Sequence, residues 1–355
     1  MDDIRTTVAF GVAGEGRGHA ARTIALSQRL GDRFRIVIFA PPSIRSFLSE
    51  GLPDAEIIDI PGINFHKENH VIKYRKTLLK NLTNIGRIHP DIKRITALMK
   101  ENSVDAVISD FEPYTAVAAK ELGLPVLSLN HPGIVLRYFS MMPDALAAKL
   151  AAKIMMPAGT KELLCSFYGG DVGPILRQEI RNIQPTKKDY YVVYTKEESR
   201  GAILEALKKY PEKEFRVFPD KNMDFIESFA NCKGVISSSG HQMLSESLYL
   251  KKPVLAFPQK MQFEQRLNAI MLEQSGWGME GNIKKIEDSL DKFFNSIESF
   301  PLETTTNETF LFTDYTQAAA NCISAFVESE IQASPESRKK PFSYGRHRPA
   351  IVQTA

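Results

Sequence analysis

Residues 234–258 read GVISSSGHQMLSESLYLKKPVLAFP, and the order of the parts decides the fold. Gly234 to Ser237 is a short β-branched run, Gly240 to Leu250 has helical periodicity, and Pro253 to Phe257 is a second apolar run. A strand, a tight loop, a helix and a strand joined this closely make a βαβ unit, whose two strands lie parallel in one sheet. Upstream, Tyr190 to Tyr194 and Phe215 to Phe218 read as further strands around a helix near Ser199 to Lys209. Downstream, Gln262 to Gln274 reads as another helix.

The same alternation occupies the first half. Thr6 to Phe10 is a strand entering the glycine-rich stretch Gly11 to Gly18, followed by a helix over Ala20 to Leu30 and a strand over Arg35 to Phe39. It returns as the strand Val104 to Ser109, the helix Pro113 to Leu122 closed by Gly123, and the strand Pro125 to Leu129. The expected fold class is α/β, with two Rossmann-like doubly wound domains facing across a cleft. Expected boundaries are residues 1–160 for the first domain, 161–187 for a linker, 188–312 for the second domain and 313–330 for a C-terminal helix. Residues 331–355, rich in proline, serine and arginine, read as a disordered basic tail.

With 355 residues, 43% hydrophobic and 25% charged, the chain has the balance of an ordinary soluble protein of two domains. A net charge of +3 forces no nucleic-acid partner. Cys165, Cys232 and Cys322 lie far apart and form no paired framework, which fits a reducing compartment. The start, MDDIRTTVAFGVAG, lacks the features of a signal peptide, and no run reaches the length of a membrane span, so a cytoplasmic location is expected.

Two loops stand where a strand hands over to a helix. The first, Gly11-Val-Ala-Gly14-Glu-Gly16-Arg-Gly18-His19, lets backbone approach a ligand at Gly14, Gly16 and Gly18. No Lys-Ser/Thr follows it, and His19 stands where a dinucleotide fingerprint needs its third glycine, so ATP hydrolysis and NAD chemistry lose ground. The second, Ser237-Ser-Ser239-Gly240-His241-Gln242, has Ser239 and Gln242 at the spacing of a capping box. A helix start of this kind stabilises a pyrophosphate through its dipole and free amides, each contact worth up to ~2 kcal/mol. Glu246 lies six residues beyond Gly240, where a carboxylate can accept both hydroxyls of a ribose docked over the helix start.

Three blocks in order, Ser239-Gly-His-Gln-Met-Leu-Ser-Glu246, Lys252-Pro253-Val-Leu-Ala-Phe-Pro258 and Glu264-Gln265-Arg-Leu-Asn268-Ala269, resemble the nucleotide-sugar site of the MurG-like, glycosyltransferase family 28 C-terminal domain group. The resemblance spans about residues 190–280, and the first glycine loop ending in His19 is similar to that family's first loop. It implies a GT-B glycosyltransferase with a nucleotide-sugar donor, favouring UDP-sugars, of the hexosyl or N-acetylhexosaminyl class, and with no metal or other cofactor. It further implies that Ser239 and Gly240 cradle the diphosphate, that Glu246 binds the ribose and that Gln265 contacts the transferred sugar, with Asn268 supporting the loop. The sequence departs from the pattern at Glu15, Arg17 and His241.

Several residues keep two readings. His19 is either a general base for an acceptor hydroxyl or a cap of the first helix. Asp110 is either a base at the carboxyl end of its strand or helix-start chemistry; the second reading leads for Glu112, and Glu112 and His131 are candidates for the acceptor wall. His241 either touches the diphosphate or base, or is a hinge residue. His66 and His70, around Glu68, have no third ligand at recognisable spacing, so no metal site is expected. Leu146, Leu150 and Ile154 form one stripe with Lys149 and Lys153 beside it, as on an interfacial helix or a packing helix. With the basic run Lys67, Lys73, Arg75, Lys76 and Lys80, that stripe raises peripheral contact with the inner membrane face and a lipid-linked acceptor. Two rivals to transfer are a nucleotide-sugar epimerase and a non-catalytic nucleotide-sugar-binding subunit.

Overall fold

The computed structural model describes residues 5–62, 67–68, 71–72, 85–157, 161–302 and 310–332. The chain divides into two compact units. The first holds the described residues of Met1–Glu68, Ile72–Ile175 and Tyr315–Ala355, and the second those of Asn69–Val71 and Leu176–Asp314.

The strands of the first unit are β1 (Thr7–Val12), β2 (Arg35–Ala40), β3 (Glu56–Asp59), β6 (Ala106–Asp110), β7 (Val126–Asn130) and β8 (Lys161–Leu164); β4 (Lys67–Glu68) and β5 (Val71–Ile72) form a separate two-stranded ladder. The six-stranded sheet has the order β3-β2-β1-β6-β7-β8, and every pairing is parallel. Val8, Phe10 and Val12 pack on one face with the helix α1 (Gly18–Leu30), while Ala9, Val37 and Phe39 pack on the other with the helix Ile85–Glu101. Burial of both faces explains why these strands read as continuous apolar runs rather than alternating ones. The C-terminal helix Thr316–Gln332 belongs to this unit: Ala319, Ala320, Ile323, Phe326 and Val327 join the same core as Ala20, Ile24 and Ala25 of α1.

The second unit has β9 (Tyr190–Tyr194), β10 (Glu214–Val217), β11 (Gly234–Ser238), β12 (Val254–Phe257) and β13 (Gly278–Glu280), in the order β10-β9-β11-β12-β13, again all parallel. In each sheet the order reverses at one point, between β1 and β6 and between β9 and β11. Such switch points open crevices at the carboxyl ends of the strands, where ligands bind in open α/β sheets.

The stretch 161–187 is more than a connection. Lys161–Leu164 forms the edge strand β8, and the chain passes from the first unit to the second at Ile175 and Leu176. Among the described residues, no helix is long and apolar enough to cross a membrane. His66, His70, Lys73, Arg75, Lys76 and Lys80 lie outside the described residues, as do the side chains of Lys67 and Glu68 and the tail from residue 333 onward.

Candidate active site

At the switch point of the first unit, β1 and β6 run side by side with Val12 opposite Asp110. The chain leaves β1 through the glycine loop. A Cβ on Gly14 would come within 2.9 Å of the Pro41 ring, Gly16 sits in the left-handed region at φ 82°, and Gly18 begins α1. Arg17, the N-cap of α1, makes no side-chain capping bond. His19 is not a cap either: it stands in the first turn of α1, and its Nδ1 lies 2.8 Å from Oδ1 of Asp110.

Asp110 is buried and clamped. Arg22, one turn along α1 from His19, donates from Nε to Oδ2 at 2.9 Å and from Nη2 to Oδ1 at 2.7 Å. Burial alone would raise the Asp110 carboxyl, but the Arg22 and His19 charges beside it outweigh burial and hold it below its ordinary value. The ionised carboxylate only accepts hydrogen bonds, so toward Asp110 the His19 Nδ1 is the donor, with Arg22 Nη2 3.1 Å from the same nitrogen; in a neutral imidazole so oriented the lone pair lies on Nε2. The next residue, Phe111, has φ 57°, a strained setting for an aromatic residue, and its ring lies parallel to His19 with centroids 6.3 Å apart. The imidazole, 13% exposed, is therefore fixed by a hydrogen bond on one nitrogen and a ring beside it.

Asp110 and His19, read from the sequence as alternative bases, are one pair in which Asp110 supports His19. Glu112 is the N-cap of the helix Pro113–Glu121, where its carboxylate accepts from the backbone N–H groups of Tyr114 and Thr115 and from the Thr115 hydroxyl at 2.6–2.9 Å. That cap engages both carboxylate oxygens, in keeping with the helix-start reading of Glu112. Gly11 makes room for it, since a Cβ there would lie 1.9 Å from Thr115 Oγ1. His131 is buried too, with Nδ1 3.2 Å from the Cys165 carbonyl and its ring edge-on to Tyr168. Burial pushes the Cys165 and Cys232 thiols up to about 11 and about 12, and neither is a thiolate at neutral pH.

At the switch point of the second unit, β11 ends at Ser238, whose hydroxyl accepts from the Lys196 backbone N–H just beyond β9 at 3.0 Å. The helix His241–Tyr249 follows, with Gly240 as its N-cap and no side-chain capping bond. This corrects the capping box: Gln242 turns instead to Glu246 Oε1, at 2.9 Å. The Ser239 hydroxyl is fully buried without a hydrogen-bond partner. Such a group in a native fold calls for an explanation. The space where a Gly240 Cβ would stand is open to 4 Å, so a ligand can come up against the backbone of the helix start.

Around this helix start, Asn268 donates to the Ser239 carbonyl at 3.0 Å and so holds the loop. Gln265 and Gln259 form a reciprocal pair, with Gln265 Nε2 donating to Gln259 Oε1 at 2.7 Å and the Gln259 backbone N–H donating back at 3.0 Å. The buried His241 keeps its Nε2 3.2 Å from Ser245 Oγ, within its own helix. Glu246, 1% exposed, is bound side-on by Arg177, with Nε to Oε1 at 2.8 Å and Nη2 to Oε2 at 2.5 Å. Sequence reasoning missed Arg22 and Arg177. Arg22 was within reach, because a residue three beyond His19 shares its helix face. Arg177 lies 69 residues from Glu246 and gives no local signal. Among the described residues, no three His, Cys, Asp or Glu side chains gather as metal ligands would.

Comparison with known proteins bears on the fold and the family. A protein of Methanosarcina acetivorans described as an uncharacterized glycosyltransferase is 23% identical over 321 residues, covering 75% of this chain and 81% of its own length. Among solved structures, a UDP-glucosyltransferase from Polygonum tinctorium superposes with a TM-score of 0.62 at 14% identity, over 92% of this chain and 100% of that one. The MurG of Acinetobacter baumannii superposes at 0.52 and 17% identity, over 90% and 99%. The fold is thus that of the GT-B glycosyltransferases, with MurG among its structural neighbours. Residues 6–222 and 218–298 match glycosyl transferase family 1, and the chain belongs to that family of sugar-transferring enzymes.

Proposed function

We propose that the protein moves a hexosyl or N-acetylhexosaminyl group from a UDP-sugar to an acceptor hydroxyl, with inversion and without a metal. In this reading the helix start at Ser239 and Gly240 receives the diphosphate, Glu246 the ribose and Gln265 the sugar. The acceptor oxygen attacks the anomeric carbon, the bond from that carbon to the β-phosphate oxygen breaks, and the diphosphate leaves with the electron pair. The acceptor proton passes to His19 Nε2. Positive dipole and free amides at the helix start stabilise the leaving charge.

The observation that supports transfer over mere binding is the His19–Asp110 pair at 2.8 Å, which orients the imidazole so that Nε2 of its neutral form is left for the acceptor. A lipid-linked acceptor at a membrane surface is favoured by one further observation. Phe139, Met141, Met142, Leu146, Leu150 and Ile154 are all exposed, Met141 at 77%, along one segment and the helix Pro143–Met155, with Lys149 and Lys153 on the same helix. Exposed apolar side chains gathered in this way mark an interaction surface, and lysines beside them suit anionic headgroups.

The test is incubation with UDP-hexoses and UDP-N-acetylhexosamines plus a lipid extract, with and without EDTA, following UDP release and the anomeric configuration of the product by NMR. An inverted glycoside formed equally in EDTA supports the proposal. A second nucleotide-sugar formed without acceptor points to an epimerase, and binding without turnover points to a binding subunit.

A further inference from the structure

We infer that Arg22 is a positioning residue of the transfer step, acting through Asp110 to hold the imidazole of His19 in its working orientation. The inference rests on the reading of His19 as the base for the acceptor hydroxyl.

The backbone of Asp110 is fixed. It ends β6 opposite Val12, its carbonyl accepts from the Ala13 N–H at 3.1 Å, and the turn beyond it is closed by the Ser109 hydroxyl donating to the Glu112 carbonyl at 2.7 Å. That backbone does not fix the carboxylate, because the last torsion of an aspartate side chain is broad and roughly two-fold. Arg22 does. Its Nε on Oδ2 at 2.9 Å and its Nη2 on Oδ1 at 2.7 Å grip the carboxylate side-on and define its plane. The second lone pair of Oδ1 then has a set direction, and it is left for His19 Nδ1 at 2.8 Å.

The three groups form one unit. Nη2 and Nδ1 both address Oδ1 and stand 3.1 Å apart, so a turn of the carboxylate that releases the imidazole also breaks the fork. Three residues of spacing on α1 bring the guanidinium and the imidazole to the same face. The Arg22 and Asp110 side chains are 4% and 2% exposed, where breaking a charge pair is costly. Arg22 also supplies the counter-charge of the buried carboxylate, a task that would otherwise fall to His19 alone.

The test reads the bond and the rate separately. In protein labelled with 15N-histidine, the Nδ1 proton of His19, bonded to a buried carboxylate, is expected as a downfield resonance protected from exchange. Arg22→Gln moves it upfield or loses it to exchange although Asp110 is intact, and Arg22→Lys, which keeps the charge but not the fork, recovers it in part. In UDP release from UDP-hexoses and UDP-N-acetylhexosamines with lipid extract, Arg22→Gln lowers kcat by about tenfold to a hundredfold, the scale of a misplaced catalytic group, and leaves the KM of the UDP-sugar unchanged. On an Asp110→Asn background the same substitution changes kcat by less than about twofold, because the route to His19 is already cut. An unmoved resonance in Arg22→Gln, an equal loss of rate on both backgrounds, or a parallel rise in KM overturns the inference. Should Arg22→Gln fail to fold, Arg22→Lys carries the same comparisons. A wild type that releases no UDP from any of these donors removes the proposed reaction and the inference with it, and that failure is visible without any Arg22 variant.

Discussion

The Nδ1 of His19 lies 2.8 Å from Oδ1 of Asp110, a carboxylate that Arg22 grips from a position three residues along the same helix as His19. The pair joins the end of the glycine loop to the end of β6, across the one point where the first sheet reverses its strand order.

That pairing predicts a separation of chemistry from donor binding. His19→Ala lowers kcat by about 10²–10⁴, the usual contribution of a general base, and Asp110→Asn follows it because the imidazole loses the acceptor that sets its tautomer. Both variants bind the nucleotide as the wild type does, which titration calorimetry checks. Equal loss of nucleotide affinity and of rate would remove His19 from the chemical step.

The same carboxylate shapes acid stability. Its folded value is lowered from 3.8, so the Arg22–Asp110–His19 contribution is fully present above that pH and is lost as pH falls through the lower folded value. Near neutral pH, Asp110→Asn should cost about 3–5 kcal/mol, as expected when one partner of a buried pair is removed. Urea unfolding of both proteins from pH 7 downward measures the gap. It narrows below about pH 3.8, and a gap that stays constant or widens contradicts the assignment.

Ser239 separates function from stability in the opposite sense. Its hydroxyl is buried with no partner, so Ser239→Ala leaves the melting temperature unchanged or raises it. Nucleoside diphosphate affinity falls about five- to tenfold, for one lost hydrogen bond to a charged oxygen. A variant that melts lower and binds as before would make Ser239 structural.

The exposed stripe of the helix Pro143–Met155 predicts binding to vesicles containing phosphatidylglycerol. Leu146→Asp and Leu150→Asp each weaken it by about tenfold or more, given the apolar area withdrawn and the charge added, with activity on a water-soluble acceptor retained. Co-sedimentation of wild type and variants decides the point, and indifference to the substitutions would return this face to ordinary surface.

Much of this was legible in the sequence because parallel strands buried on both faces are continuous apolar runs, as TVAFGV and VLAF are. Edge strands such as β8, Lys161-Glu-Leu-Leu164, lack that signal because solvent meets one side, and the stretch reads as a connection. At the site, loop position and residue type pointed to His19, Asp110, Ser239, Gly240 and Glu246. Spacing alone misled at Ser239 and Gln242, where a capping pattern is present but the helix is capped by Gly240 and Gln242 serves Glu246. Arg177 was invisible, since its partner lies 69 residues along the chain and only the fold brings them together.

Thermal denaturation with a panel of nucleoside diphosphates and nucleotide-sugars, with and without EDTA, tests the central claim most directly, because a ligand of the native state raises Tm. The account predicts that UDP and a UDP-sugar raise Tm equally in EDTA for the wild type, and that the rise is lost in Glu246→Ala and reduced in Ser239→Ala. No rise with any nucleotide, or an equal rise in all three proteins, would contradict a donor site at the start of the helix His241–Tyr249.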